Sequence, residues 1–369
     1  MYVTALPDTS VVRPVTTRDT KVCPAPQGQS ARGFGGTALA GLYCCLALPA
    51  AAQDDSATLE TLVSTQIADV FSTSAVLTDS EVITLGVLDF NPNQFAPLEI
   101  GNLGSDESLD LRHRLQIYAL PYSWQPDSKE QSEQRWQPVL TVRASYISIS
   151  EEVQLSTGET VAADSNRDYV YGLYGEFALK HPLNDRVTLQ AGLGSHWMHY
   201  KNRYAYNNPE WRPVLTLLDN IILNTRTSAW LAEPNVQLFY EGPELLGNPW
   251  VYRSGYHYLY GQTFNEGHPY QRSHPESWRW VNSFTYHLHL PTVLSQRTQL
   301  RLVARRIDLG GDLPRNFRTD HYHEVGVGWL METGNADSWL RNVGIGLSVT
   351  IDSVLSGGSV VLLYNEELR

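Results

Sequence analysis

Cysteine is absent from position 46 onward: the only three in the chain are Cys23, Cys44 and Cys45. A segment without thiols forms no disulfide and no thiolate metal site, and it crosses an oxidising compartment without the risk of mispairing. Long hydrophobic runs are absent as well. Beyond residue 53 nothing approaches the ~20 apolar residues that a helical span needs, which excludes a helical membrane protein. Positive charge is scarce there too: residues 53–369 carry 23 Lys and Arg against 37 Asp and Glu, a balance of −14 compared with −12 for the whole chain. Such a surface repels phosphate backbones, so nucleic acid is excluded as a partner. Length decides little, because 369 residues suit two or three soluble domains or one large barrel.

What the N-terminal region does hold is the layout of an export signal. Residues 33–48 (GFGGTALAGLYCCLAL) are uncharged and largely apolar, follow Arg32, and lead into Pro49 and Ala50 to Ala52 before the polar Gln53, Asp54 and Asp55. A basic flank, a short apolar core and a small-residue site predict cleavage between Ala52 and Gln53. Tyr43 and Cys44, just before the two candidate cysteines, are too large for a lipidation site. Thirty-two residues ahead of the apolar core is long for a signal, and translation is expected to begin nearer Arg32. Residues 1–52 are therefore read as an N-terminal extension and signal peptide, 53–80 as a periplasmic or lumenal lead, and 81–369 as the main domain.

In that domain the recurrent signal is alternation over 9 to 11 residues, the length of a tilted strand crossing a bilayer. Val343, Ile345, Leu347, Val349 and Ile351 alternate with Gly344, Gly346, Ser348 and Thr350; Val187 to Gly194 repeat the pattern. Leu300, Leu302 and Ala304 alternate with Gln299, Arg301 and Arg305, so the second face is wet. The whole chain then predicts twelve strands near 82–90, 111–120, 138–149, 169–180, 187–198, 227–240, 250–261, 278–290, 298–307, 321–331, 343–351 and 359–365. Connections alternate short and long, as in 181–186 against 201–226, except that 121–135 is long for a short turn and 352–358 short for a long loop, which leaves ten strands as an alternative. Short periplasmic turns and long outer loops would place both termini in the periplasm. The expected fold is all-β, an antiparallel transmembrane β-barrel with a short N-terminal helix, in the outer membrane of a Gram-negative cell. A soluble β-sandwich would also alternate.

Aromatic residues and charges fit this frame. Trp136, Trp197, Trp250, Trp278 and Trp329, with Tyr146, Tyr169, Tyr200, Tyr260 and Trp280, fall mostly near strand ends, where amphipathic rings suit the headgroup layer. Alternation turns Arg112, Arg114, Arg143, Arg301 and Arg305, together with Glu176, toward the interior as a lumen charge network, more suited to cross-bracing than to lining a pore. Ahead of the first strand, Leu59, Leu62, Val63, Ile67, Val70 and Phe71 recur at helical spacing within 57–71. This helix either plugs the lumen or rests against the barrel base.

With these features the chain resembles the solitary outer-membrane autotransporter β-barrel domains. The resemblance covers the mature chain and rests on a signal followed directly by a barrel, the helical lead Ala57–Phe71 and the aromatic strands Trp250–Tyr260 and Trp278–Leu290. It implies a twelve-strand barrel with a helix in its pore. About 30 residues separate the cleavage site from the first strand, too few for a folded passenger. Barrels of this kind end on an aromatic residue read by the barrel assembly machinery; here the chain ends on Arg369 and Tyr364 stands in.

Chemistry is sparse. There is no G-x-S-x-G elbow. His287 with His289, and His321 with His323, share strand faces near Asp320, Glu324 and Glu276, and a hydrolase would need Ser273, Ser277 or Ser283 beside one of them. The bland reading, histidines as ordinary lumen or interface residues, is preferred. The expectation is a non-catalytic structural or translocation-type barrel with no cofactor and no metal, whose partners are outer-membrane lipid, lipopolysaccharide and the assembly machinery. The alternatives are an outer-membrane lipase or protease with a His-centred site, and a soluble periplasmic binding protein.

Overall fold

Antiparallel pairing dominates the computed structural model, which describes residues 55–79, 88–94, 104–125, 136–154, 162–293, 296–333, 341–364 and 366. The predicted cleavage site at Ala52 and Gln53 lies outside these residues, as does most of the predicted first strand. A helix α1 (Asp55–Leu77) precedes a short strand β1 (Leu88–Phe90) and a second helix α2 (Asp106–Arg114). Then follow β2 (Leu115–Trp124), β3 (Gln137–Val153), β4 (Asp164–Asn184), β5 (Val187–Ala205), a one-turn helix α3 (Arg212–Leu215) and β6 (Arg226–Glu241). The chain continues with β7 (Trp250–Phe264), β8 (Glu276–Val293), β9 (Gln296–Gly311), α4 (Leu313–Phe317), β10 (His321–Glu332), β11 (Asn342–Ile351) and β12 (Gly357–Tyr364).

All twelve strands join one sheet in which β2 to β12 pair as sequence neighbours and β1 pairs with β12. Twelve, not ten, is therefore the count among the described residues. Strands of 15 to 21 residues, as in β3 to β9, exceed the ~9–11 needed for a span and project beyond it. Their register keeps the alternation in phase: Leu173, Leu193, Val236 and Leu302 stay exposed while Met198, Leu231, Leu259 and Ile307 are buried. A one-residue slip would exchange these faces.

The inward faces share one apolar core. Val63, Ile67, Phe71 and Val76 of α1 cluster with Ile147, Met198, Leu231, Leu259, Val281 and Ile307 from the successive strands β3 and β5 to β9. The sheet thus curls around α1, which lies in the interior and not against the base. At 23 residues the helix is longer than the expected 57–71. Among the described residues no ladder joins β1 to β2. The gap is bridged by α2, where buried Arg112 donates to Ser359 Oγ on β12 (2.8 Å) and faces Asp89 on β1 (3.3 Å).

One strand boundary is corrected. Residues 111–114 end α2 and do not begin a strand. Ser105 caps the helix in a reciprocal capping box with Ser108, acids stand in the first turn and Arg112, His113 and Arg114 in the last. Each term favours helix at this point.

Candidate functional site

Two layers cross the interior, an apolar layer at one mouth and a layer of compensated charge below it. The apolar layer forms where the longer connections gather. Ile221 and Ile222, Tyr270, Leu313 and Phe317, and Val354 and Leu355 come from the four connections after β5, β7, β9 and β11, and all pack against the core built on α1. Polar contacts fix the helix laterally: Arg315 donates to both Asp69 carboxylate oxygens (3.1 and 2.6 Å), Ser72 to Asp312 (3.2 Å) and Asn316 to Thr73 (2.6 Å). Burial raises the Asp69 carboxyl above its ordinary range, against the opposing pull of Arg315.

Below this, Asp79, two residues beyond the end of α1, is the hinge of a buried belt. Arg279 on β8 donates to Asp79 Oδ2 (2.6 Å) and to Glu233 Oε1 on β6 (2.7 Å), and Arg143 on β3 approaches Asp79 Oδ1 at 3.8 Å. Glu233 also accepts from His196 Nε2 on β5 (2.7 Å) and His257 Nδ1 on β7 (2.8 Å). A carboxylate only accepts, so both contacting ring nitrogens carry protons, and His257 presents its other nitrogen to Gln237 Nε2 (3.4 Å). On β4, Tyr174 packs between the Arg143 guanidinium, 4.6 Å from its ring, and the His196 ring at 4.4 Å. Two carboxylates and two guanidiniums cancel, with two imidazoles available as donors. That is the condition under which charge persists in a dry interior.

Backbone geometry supports the belt. Arg143 is the direct cross-strand partner of Tyr174, Tyr174 of His196, and His257 of Arg279, so the ladder registers these side chains at one level. Gly194 leaves the space that Tyr174 fills: a Cβ there would stand 2.5 Å from the ring. Beside Glu233, Pro234 interrupts the β6–β7 pairing between Ala232 and Asn235, because proline brings no N–H.

The residues expected to form one lumen network are dispersed. Arg143 joins the belt, and Glu176 accepts from Asn235 (2.7 Å) next to it. Arg305 pairs with Glu324 (3.0 Å) and Arg301 with Glu366, both on the far wall. Arg112 sits at the β1–β12 seam, and half-exposed Arg114 bonds Asp110 within α2. Missing from the sequence reading were Asp79, His196, Glu233, His257 and Arg279. Period-two alternation does place the strand members inward, and a carboxylate in the middle of an apolar strand was the available signal; the strand pairing that unites them is not written in any one segment.

The tryptophans sit in two tiers. Trp136, Trp250 and Trp329 lie toward the short turns, with Trp136 stacked on His181 at 4.6 Å, while Trp197 and Trp278 lie toward the long connections, joined there by Trp230 and Trp280. Along the outward face of β7, Trp250 and Tyr260 are ten residues apart, ~33 Å of strand, or ~25 Å of height at a tilt near 40°.

The two histidine pairs lie at opposite ends of the wall. His321 bonds Asp320 (2.7 Å) and His323 faces Asp352 (3.7 Å), both on the half-exposed rim. His287 is buried toward the short-turn end of β8, and Ser273 and Ser277 are buried near its opposite end. His199 does bond a serine, Ser228 Oγ at 2.9 Å, on the outward face. Lys201 and Arg226 are the charges around that ring. Among the described residues no group of three His, Asp or Glu side chains is placed to hold a metal.

This geometry defines a class: a twelve-stranded antiparallel outer-membrane β-barrel with its own N-terminal helix in the interior. Comparison narrows it. The chain belongs to the family described as solitary outer membrane autotransporter beta-barrel domain, which matches residues 68–366. Among solved structures it is similar to LpxR from Salmonella typhimurium at 8% identity, covering 66% of this chain and 86% of that one with a TM-score of 0.31. Comparison with curated proteins finds no match.

Proposed function

We propose that this protein is a sealed, non-catalytic outer-membrane barrel of the translocation type, which holds its own N-terminal helix in the pore with the start of that helix at the cell surface. The observation that carries this reading is the direction of α1. Asp79, just past its C-terminal end, is bridged to strand residues Arg279 and Arg143, whereas Asp69, Ser72 and Thr73 meet α4 and Asp312 in the connection after β9, at the end of the sheet that also carries the long connection 206–225. Long connections face outward in bacterial barrels. On this reading the helix runs from the outer mouth inward with the start of the described chain outside, an alternative to both ends lying in the periplasm. The helix fills the lumen and the belt neutralises it, so the resting pore carries little ion flow.

The reading is tested on the full chain with an epitope placed just before Asp55. On intact cells the epitope should be accessible to antibody, and the purified protein should show no conductance in a planar bilayer, while Asp79→Ala combined with Ser72→Ala should produce openings as the plug loosens. An epitope reached only after cells are broken, or large steady conductance of the unaltered protein, would sink the proposal. Export through a cleaved signal belongs to the same reading, and N-terminal sequencing of the mature protein beginning at Gln53 is its check.

A further inference from the structure

The outward face at the long-loop end of β4, β5 and β6 carries four cations arranged in a way that isolated sheet chemistry disfavours. Lys201 on β5 is the direct partner of Arg226 on β6, and Arg203 on β5 is the direct partner of Arg167 on β4. Like charges directly opposite one another in an antiparallel pair destabilise it. None of the four forms an ion pair with a carboxylate among the described residues; Arg203 has only the Tyr169 ring beneath it, at 5.9 Å. Elsewhere on the rim the same chemistry is neutralised within the chain, where Arg306 on β9 is held by Asp308 at 2.8 Å. In a segment with an excess of 14 acids, four adjacent cations left uncompensated are unusual.

Their position says what compensates them. Lys201 and Arg226 line a cleft of about 1040 Å³ with His199, Ser228, Asn224 and one acid, Glu266. Trp197 also lines it, and its direct partner Trp230 is likewise exposed on the outward face. Below these rings, Leu193 and Leu173 are among the most exposed apolar residues of the chain. Lys201 lies four residues beyond Trp197, ~13 Å along the strand. Apolar residues, then an aromatic pair, then cations is the order in which acyl chains, the interface and headgroup phosphates are met on leaving a bilayer. The cleft is anchored by the polar loop contacts behind it: Gln271 donates to Asn220 O (3.0 Å) and Ile221 O (2.9 Å), and Asn224 N donates to Asn202 Oδ1 (2.9 Å).

We propose that this rim is a binding site for the phosphorylated headgroup of outer-leaflet lipopolysaccharide, with Lys201 and Arg226 gripping one phosphate and Arg167 and Arg203 supporting the neighbouring charge. Guanidinium and ammonium groups form charge-assisted bonds to phosphate oxygens, and one anion between Lys201 and Arg226 turns their repulsion into a bridge.

The test is a titration of the full chain in detergent with lipopolysaccharide, with dephosphorylated lipopolysaccharide and with inorganic phosphate. Saturable binding of the first is expected, lost on dephosphorylation and not displaced by millimolar phosphate. It should weaken on the order of tenfold in K201Q/R226Q and stay unchanged in R306Q. Equal binding of the dephosphorylated lipid, equal occupancy by free phosphate, or unaltered binding by K201Q/R226Q would overturn the proposal. If the double variant fails to give the heat-modifiable band of a folded barrel, the dependence of the wild-type protein on the lipid phosphate decides alone.

Discussion

Two groups of charged residues, one inside the sheet and one on its outward rim, are treated in opposite ways. Inside, Arg279 and Arg143 are matched against Asp79 and Glu233 within one connected belt. Outside, Lys201, Arg203, Arg167 and Arg226 face each other in like-charged pairs. The difference follows from what each side can borrow. A buried charge finds no compensation except from the chain itself, so the interior closes its own balance. A rim charge has ions, water and lipid headgroups within reach, and can leave its balance to the surroundings.

The comparison breaks most sharply at Arg279. Arg279→Met removes the cation shared by Asp79 and Glu233 and leaves two carboxylates in a dry interior. Removing one partner of a buried pair costs about 3–5 kcal/mol, and this residue serves two. The unfolding transition, followed by heat-modifiable mobility, should fall further than for any other single change in the belt; an unchanged transition would mean that the belt is hydrated. Next comes the apolar layer. Phe71 is wholly buried in the core around α1, and Phe71→Ala should cost about 3–5 kcal/mol through lost burial and the cavity left behind. Protease sensitivity of α1 should rise with it, and a helix cut no faster than in the parent protein would argue that α1 is held by its polar contacts alone. The smallest effect has the opposite sign. In detergent free of anionic lipid, Lys201→Gln relieves repulsion from Arg226 and should leave stability unchanged or raise it by ~0.2–1 kcal/mol. A loss there would show that Lys201 is already compensated within the chain.

Much of the wall was legible in the sequence because alternation is a local property. The predicted 138–149, 169–180, 187–198 and 343–351 all lie inside observed strands, and Trp250 and His321 open β7 and β10 as expected. The helix before the barrel was legible for the same reason, since Val63, Ile67 and Phe71 share one face. What escaped was non-local or was written in another alphabet. The segment up to Arg114 reads as strand by alternation, but its caps and charge gradient specify a helix. The belt escaped because His196, His257 and Arg279 each look unremarkable in their own strand and Glu233 alone names no partner; only register brings them together. Conspicuous histidines at i and i+2 drew attention instead, although such a pair shares a strand face wherever it falls and need not face a common partner.

The bridge from Asp79 to Arg279 also sets an order of events. The two residues are 200 positions apart, and the contact cannot exist until β8 has been delivered and paired through β7 to β6. Contacts this distant close late, because the intervening chain must be ordered first. The wall is thus assembled around a vacant centre, and the helix that starts the described chain is among the last parts to be secured.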